Sequence, residues 1–168
     1  MDRYGASERT EAVKECGVIC MTAKELFEKI DEAERNLSTA VRKVEVLKSI
    51  AERITSSLQD EVVSHSINVH SHEESIIRLT EAKDALNLVS ANYSSLLDFI
   101  TKKLALLDNE DDEALLSYYH LSHLPLNDIS VRLHHSKTWG YRRYDIAIRN
   151  LDSIVSDVSE EDLPKMVG

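Results

Sequence analysis

The chain has little to turn with. Only 4 Gly and 2 Pro occur in 168 residues, and aromatic residues make up 5%. A sandwich or barrel reverses direction every ten residues or so, and each reversal draws on residues scarce here. Those folds are excluded, and an all-α protein is predicted. The 2 cysteines, Cys16 and Cys20, make no disulfide framework, and no further ligands stand near enough for a four-ligand zinc site. A reduced, cytoplasmic chain without a bound metal or cofactor is expected. No run of about 18 apolar residues occurs, so no membrane-spanning helix and no membrane partner are expected. Glu8, Glu11 and Glu15 interrupt the first twenty residues, which therefore do not read as a secretory signal. A Gly-rich phosphate loop, HExxH, a nucleophile elbow and CxxC are all missing. Catalysis is disfavoured, and the acid pairs Asp111-Asp112 and Glu160-Glu161 read as a helix start and a frayed tail.

What is present can fold. Hydrophobic residues make up 42% and charged residues 30%, a balance that supports a core. The net charge of -10 counts against a surface that coats nucleic acid or anionic membrane throughout. A local basic patch is still compatible with it.

Residues 1–20 show no sustained periodicity, whereas Thr22 followed by Glu25 spells a capping box at the start of a helix. Glu-Cys-Gly-Val at 15–18 is also what a purine-rich ribosome-binding site spells when translated. Met21 is therefore expected to be a natural start, with 1–20 a disordered or dispensable extension.

From Leu26 the apolar positions step by four and three through Ile30, Ala33, Leu37, Ala40, Val44, Leu47, Ala51, Ile54 and Leu58. That is a heptad seam. A second runs Leu79, Ala82, Leu86, Val89, Tyr93, Leu96 and Ile100, then drifts from Lys103 to Leu104 and ends at Leu107. Two helices of about 36 residues, roughly 54 Å each, predict a long antiparallel helical hairpin over 21–108. Its connector is placed at Gln59–His72. His65, His70 and His72 fall there, and a solvated loop tip is a better reading than a metal site. Val41, Val46, Ile50, Ile77, Leu88, Leu97 and Phe99 widen the seams beyond two positions per heptad, which favours a homodimer through the hairpin.

Beyond the acidic stretch Asp108–Glu113, three short helices are expected at about 113–120, 126–133 and 137–155. Acids suit the start of the first. Pro125 separates the first two, and Ser136 is the expected cap of the third. His134-His135 fills a turn that calls for a left-handed residue. The inward face of the third helix is assigned to Tyr141, Tyr144, Ile148, Leu151 and Val155, broadened by Ile146, Ala147 and Ile154. Between His123 and Asn150 the cations Arg132, Lys137, Arg142, Arg143 and Arg149 outnumber the acids Asp128 and Asp145, while both flanks are acidic. A basic island in an acidic chain is a directed patch for nucleic acid.

Three stretches, Leu115–Leu121, Leu126–Ile129 and Arg132–Ser136, together with Tyr141-Arg142, Ala147-Ile148 and Leu151, resemble region 4 of the sigma-70 family. With the preceding helical hairpin, the chain from Met21 is similar to small phage and prophage transcriptional regulators of the RinA type. The resemblance implies a helix-turn-helix over 109–158 followed by an acidic tail at 159–168, and a DNA-binding regulator in the cytoplasm of a bacterial host. Carried over by position, Lys137, Thr138, Trp139 and Arg142 face the major groove of double-stranded DNA, with Arg142 reading guanine. Arg132, His135 and Arg143 contact phosphates. His123 and His134 stand where the family commonly has Gly, Pro125 where it has a Ser or Thr cap, and Ser130 where it has Ala. Gly140 inside the last helix costs about 1 kcal/mol relative to Ala. Two alternatives stand beside this. Arg142 and Arg143 pair with Asp145 and Asp152 on a merely solvated face, or the module grips a host protein, as an RNA polymerase-binding factor or an anti-CRISPR inhibitor does.

Overall fold

The computed structural model describes residues 21–60, 67–156, Val158 and Leu163. The expectation for residues 1–20 and most of that for the acidic tail lie outside the described residues. The protein is all-α, with no strand among the described residues. In order come α1 (Ala23–Asp60), α2 (Ile67–Leu104), α3 (Glu110–Leu116), a π-helical turn (Ser117–Leu121), α4 (Leu126–Arg132) and α5 (Trp139–Val155).

Several boundaries differ from those expected. α1 reaches Asp60 and α2 begins at Ile67, so His70 and His72 are helical rather than in a connector. The segment is rich in Ser and His but holds no Gly or Pro to stop a helix. α3 starts at Glu110, three residues early, because the Asn109 side chain accepts the Asp111 N–H at 2.9 Å and caps it. Four acids then fill its first turn, where the helix dipole favours them.

The chain divides into two compact units, and the division falls within both long helices. One is Ile30–Ser95; the other gathers α1 up to Lys29 and the described chain from Leu96 onward. In the 30–95 unit the described seam positions are withdrawn from water. Ala33, Ala51 and Ala82 are buried, while Leu37, Ala40, Val44, Leu47, Ile54, Leu79, Leu86, Val89 and Tyr93 are half-buried. Burial first, then the Glu34 and Asp31 carboxylates, raises the Tyr93 phenol above its ordinary pKa. Val41, Val46, Ile76 and Ile77 stay exposed.

The other unit has a denser core. Leu26, Ile100, Leu104, Leu115, Leu116, Ile129, Leu151 and Val155 are all fully buried, and each contributes about 1.5–3 kcal/mol relative to an exposed position. Leu104 is buried and Lys103 only half-buried, the order of burial expected at these two positions. The Thr22 hydroxyl accepts the Glu25 N–H at 3.2 Å while the Glu25 carboxylate accepts the Thr22 N–H at 2.7 Å, the reciprocal capping box. α1 is also held from outside, because the Asp152 carboxylate accepts the Ala23 N–H at 2.7 Å. On α5 the inward stripe is centred on Gly140, Ala147 and Leu151, with Ile148 and Val155 beside them. Tyr141 and Ile146, assigned inward from the sequence, fall outside that stripe and are exposed.

Candidate nucleic-acid interface

The segment between α4 and α5 closes like a Schellman motif. The His134 N–H donates to the Val131 carbonyl at 3.1 Å and the His135 N–H to the Ser130 carbonyl at 2.8 Å. His134 sits at φ 60°, as the motif requires of its first residue beyond the helix. The π turn ends similarly but one residue wider. The Leu124 N–H reaches the Tyr118 carbonyl at 3.0 Å, and His123 takes φ 52°. His123 and His134 are thus the two non-glycine residues with positive φ among the described residues.

Ser136 does not cap α5. The cap residue is Thr138, whose side chain makes no capping bond. The hydrogen bond that a cap supplies comes instead from α4. The fully buried Ser130 hydroxyl accepts the Gly140 N–H at 2.9 Å and donates to the Leu126 carbonyl at 2.7 Å. A Cβ on Gly140 would stand 2.7 Å from that hydroxyl and 2.9 Å from the Leu126 carbonyl oxygen. Glycine at 140 and serine at 130 are therefore one device, which lets α4 and α5 cross at contact distance. The penalty of Gly140 in the helix is offset at this crossing.

Two of the expected phosphate contacts are engaged elsewhere. The guanidinium of Arg143 forms a two-pronged pair with the fully buried Asp112 carboxylate, which also accepts the Asn150 amide at 3.1 Å. The side-chain hydrogen bond to Asp112 raises the Arg143 pKa further, against a smaller opposing effect of burial. His135 Nε2 lies 3.0 Å from the Asp111 carboxylate. The His135 ring stacks on Trp139, with centroids 4.0 Å apart and planes at 11°. Arg143 braces α5 against α3, His135 braces the turn before α5 against α3, and Trp139, stacked on His135, is half-buried in that brace. Arg143 does not pair with Asp145 or Asp152, the partners considered from the sequence.

Behind the brace lies an aromatic cluster that sequence reasoning missed. His120 stacks on Phe27 at 3.6 Å, and its Nε2 lies 3.0 Å from the Tyr144 hydroxyl. Burial, with a lesser push from His123, lowers its pKa to about 4, so the ring is neutral at pH 7.

Lys137, Thr138 and Arg142 remain outward. All three are exposed, and neither Lys137 nor Arg142 forms an ion pair among the described residues. Arg132 is exposed too, its guanidinium 5.2 Å from the centre of the Tyr118 ring. Arg149 turns back along its own helix, its Nε donating to the Asp145 carbonyl at 3.0 Å. Of the seven residues expected at the interface, four therefore present free surface and three are committed to the brace. No helix among the described residues is long and apolar enough to cross a membrane. No protein-family model, curated protein or solved structure matches the chain.

Proposed function

We propose that this chain is a DNA-binding transcriptional regulator of phage type, with a helix-turn-helix formed by α4 and α5. The observation that carries this reading is the Ser130–Gly140 crossing with its left-handed turn at His134. It fixes α5 against α4 while Lys137, Thr138 and Arg142 point outward from the helix start, where such motifs meet base edges. Arg132 supplies a phosphate contact from α4. His135, Trp139 and Arg143 hold the helix and do not read DNA. The long helices form an antiparallel hairpin, a reading supported by Tyr93 of α2 lying near Asp31 and Glu34 of α1. The half-exposed seam of 30–95 favours closure by a second copy, and light scattering measures that directly.

The test is enrichment from a pool of random-core duplexes at low salt, with binding then measured across a salt series. Arg142→Ala is expected to weaken the enriched site by about 1–3 kcal/mol with no change in Tm. Arg143→Ala is expected to lower Tm without selectively altering the salt slope. No enrichment and no salt dependence would rule the proposal out. Docking on a host protein, such as RNA polymerase, is the second reading. It is favoured by Val131 and Tyr141, apolar or aromatic yet 55% and 57% exposed near the same cations. A host partner retained after nuclease treatment, with no duplex enriched, would select it.

A further inference from the structure

The outward face of α5 carries one acid among its cations. Asp145 is exposed, and its carboxylate has no hydrogen-bond or ion-pair partner among the described residues. Two cations stand at helical contact spacing from it, and neither neutralises it. Arg142, three residues earlier, forms no pair with it, and Arg149, four residues later, donates to its backbone carbonyl instead.

Facing a polyanion, such a group is unfavourable beside every phosphate. It is favourable at the major-groove edge of a base that offers an amino group, and the cytosine N4 amine is the usual partner of Asp and Glu there. Arg142 and Asp145 lie on one face, about 4.5 Å apart along the axis at 1.5 Å per residue. Base pairs repeat at about 3.4 Å, so two side chains at this spacing address neighbouring pairs.

We infer that Asp145 is a specificity-determining residue, accepting from cytosine N4 one base pair away from the guanine that Arg142 contacts. The ligand class is then duplex DNA with guanine and cytosine on adjacent pairs. The inference rests on the helix-turn-helix reading above. Asp145 contributes selectivity rather than affinity, because it repels phosphate at every site and is compensated only where an amine meets it.

The experiment selects duplexes from a random-core pool with the full chain, its Asp145→Ala variant and its Asp145→Asn variant, with Tm recorded for each. The wild-type chain is expected to enrich adjacent guanine and cytosine. Asp145→Ala should keep the guanine preference, spread the cytosine position over all four bases, and bind a duplex lacking the site about threefold to tenfold more tightly. Asp145→Asn should move that position toward adenine, which an amide recognises through N6 and N7. A purely structural role would produce no such exchange. An unchanged cytosine preference in Asp145→Ala overturns the assignment and leaves the DNA reading standing. Loss of selectivity at every position with Tm intact also overturns it. If the wild-type chain enriches nothing, the DNA reading fails and this inference falls with it.

Discussion

Residues 30–95 and residues 96–156 keep their helices in place by different means. In the first unit the same pattern of burial repeats along α1 and along α2, and its larger apolar residues stay half-exposed. The ion pairs Lys48–Glu52 and Arg78–Glu74 run along a single helix, with all four side chains more than 60% exposed. Such pairs contribute little. In the second unit single residues far apart in sequence meet once each: Asp112 with Arg143, Ser130 with Gly140, His120 with Tyr144. A repeating seam tolerates the loss of one member because the next turn presents the same surface. A unit built on single meetings does not.

That contrast is broken most directly by matched truncations. Leu115→Ala removes a fully buried side chain and is expected to cost about 3–5 kcal/mol. Leu37→Ala, in the half-buried seam, is expected to cost about 1–2 kcal/mol, since part of its surface is already wet. Urea unfolding followed by circular dichroism measures both, and equal losses would show that the two units are built alike.

Gly140→Ala sharpens it. Alanine is the better helix former by about 1 kcal/mol, yet its Cβ would press on a hydroxyl and on a backbone carbonyl of α4. A net loss of about 2 kcal/mol is expected. Placing the change in a Ser130→Ala background separates the two clashes: whatever penalty survives comes from the Leu126 carbonyl, which cannot step aside.

The two long helices and their withdrawn positions were legible because a period of 3.5 is written in every turn, and the Thr22–Glu25 box because both partners lie within one turn. His134 was legible because the turn length alone calls for a left-handed residue. The fates of Arg143 and His135 were not. Their acids lie 31 and 24 residues upstream, beyond Pro125, so nothing local separates them from Arg142. The nearby Asp152 looked like a partner for Arg143 but caps α1 instead. Ser136 sat where a cap belongs, and only the α4–α5 crossing lets Ser130 accept the Gly140 N–H in its stead. The Ser- and His-rich stretch through His72 looked like a loop, although nothing in it forbids a helix.

A pH series probes the meetings of the second unit by one of its own members. His120 is neutral in the folded protein until about pH 4, whereas an unfolded histidine protonates near 6.5. As pH falls from 6.5 toward 4, the unfolded chain binds a proton that the native protein excludes, so stability declines across that window. Above pH 6.5 the contribution is fully present. Tm is expected to fall by a few degrees between pH 7 and pH 5, and His120→Gln, which keeps a polar side chain without the proton, should shrink that fall. A decline of undiminished size in the variant would assign it to other groups.

The smallest effect expected is at the turn itself. His134 holds φ 60°, and its side chain makes no hydrogen bond or ion pair among the described residues; the conformation costs an L-residue about 1 kcal/mol or more. Glycine removes that strain but enlarges the freedom of the unfolded chain by a comparable amount, so His134→Gly should stabilise by less than about 1 kcal/mol. His123 has nearly the same φ, 52°, but it makes a further interaction. His123→Gly should therefore gain less or turn unfavourable. The difference between these two substitutions, read as a difference in Tm, separates what else His123 does from the strain that both positions share. Equal gains would mean that backbone conformation alone decides both turns, and that the second unit is less dependent on individual side chains than its buried pairs imply.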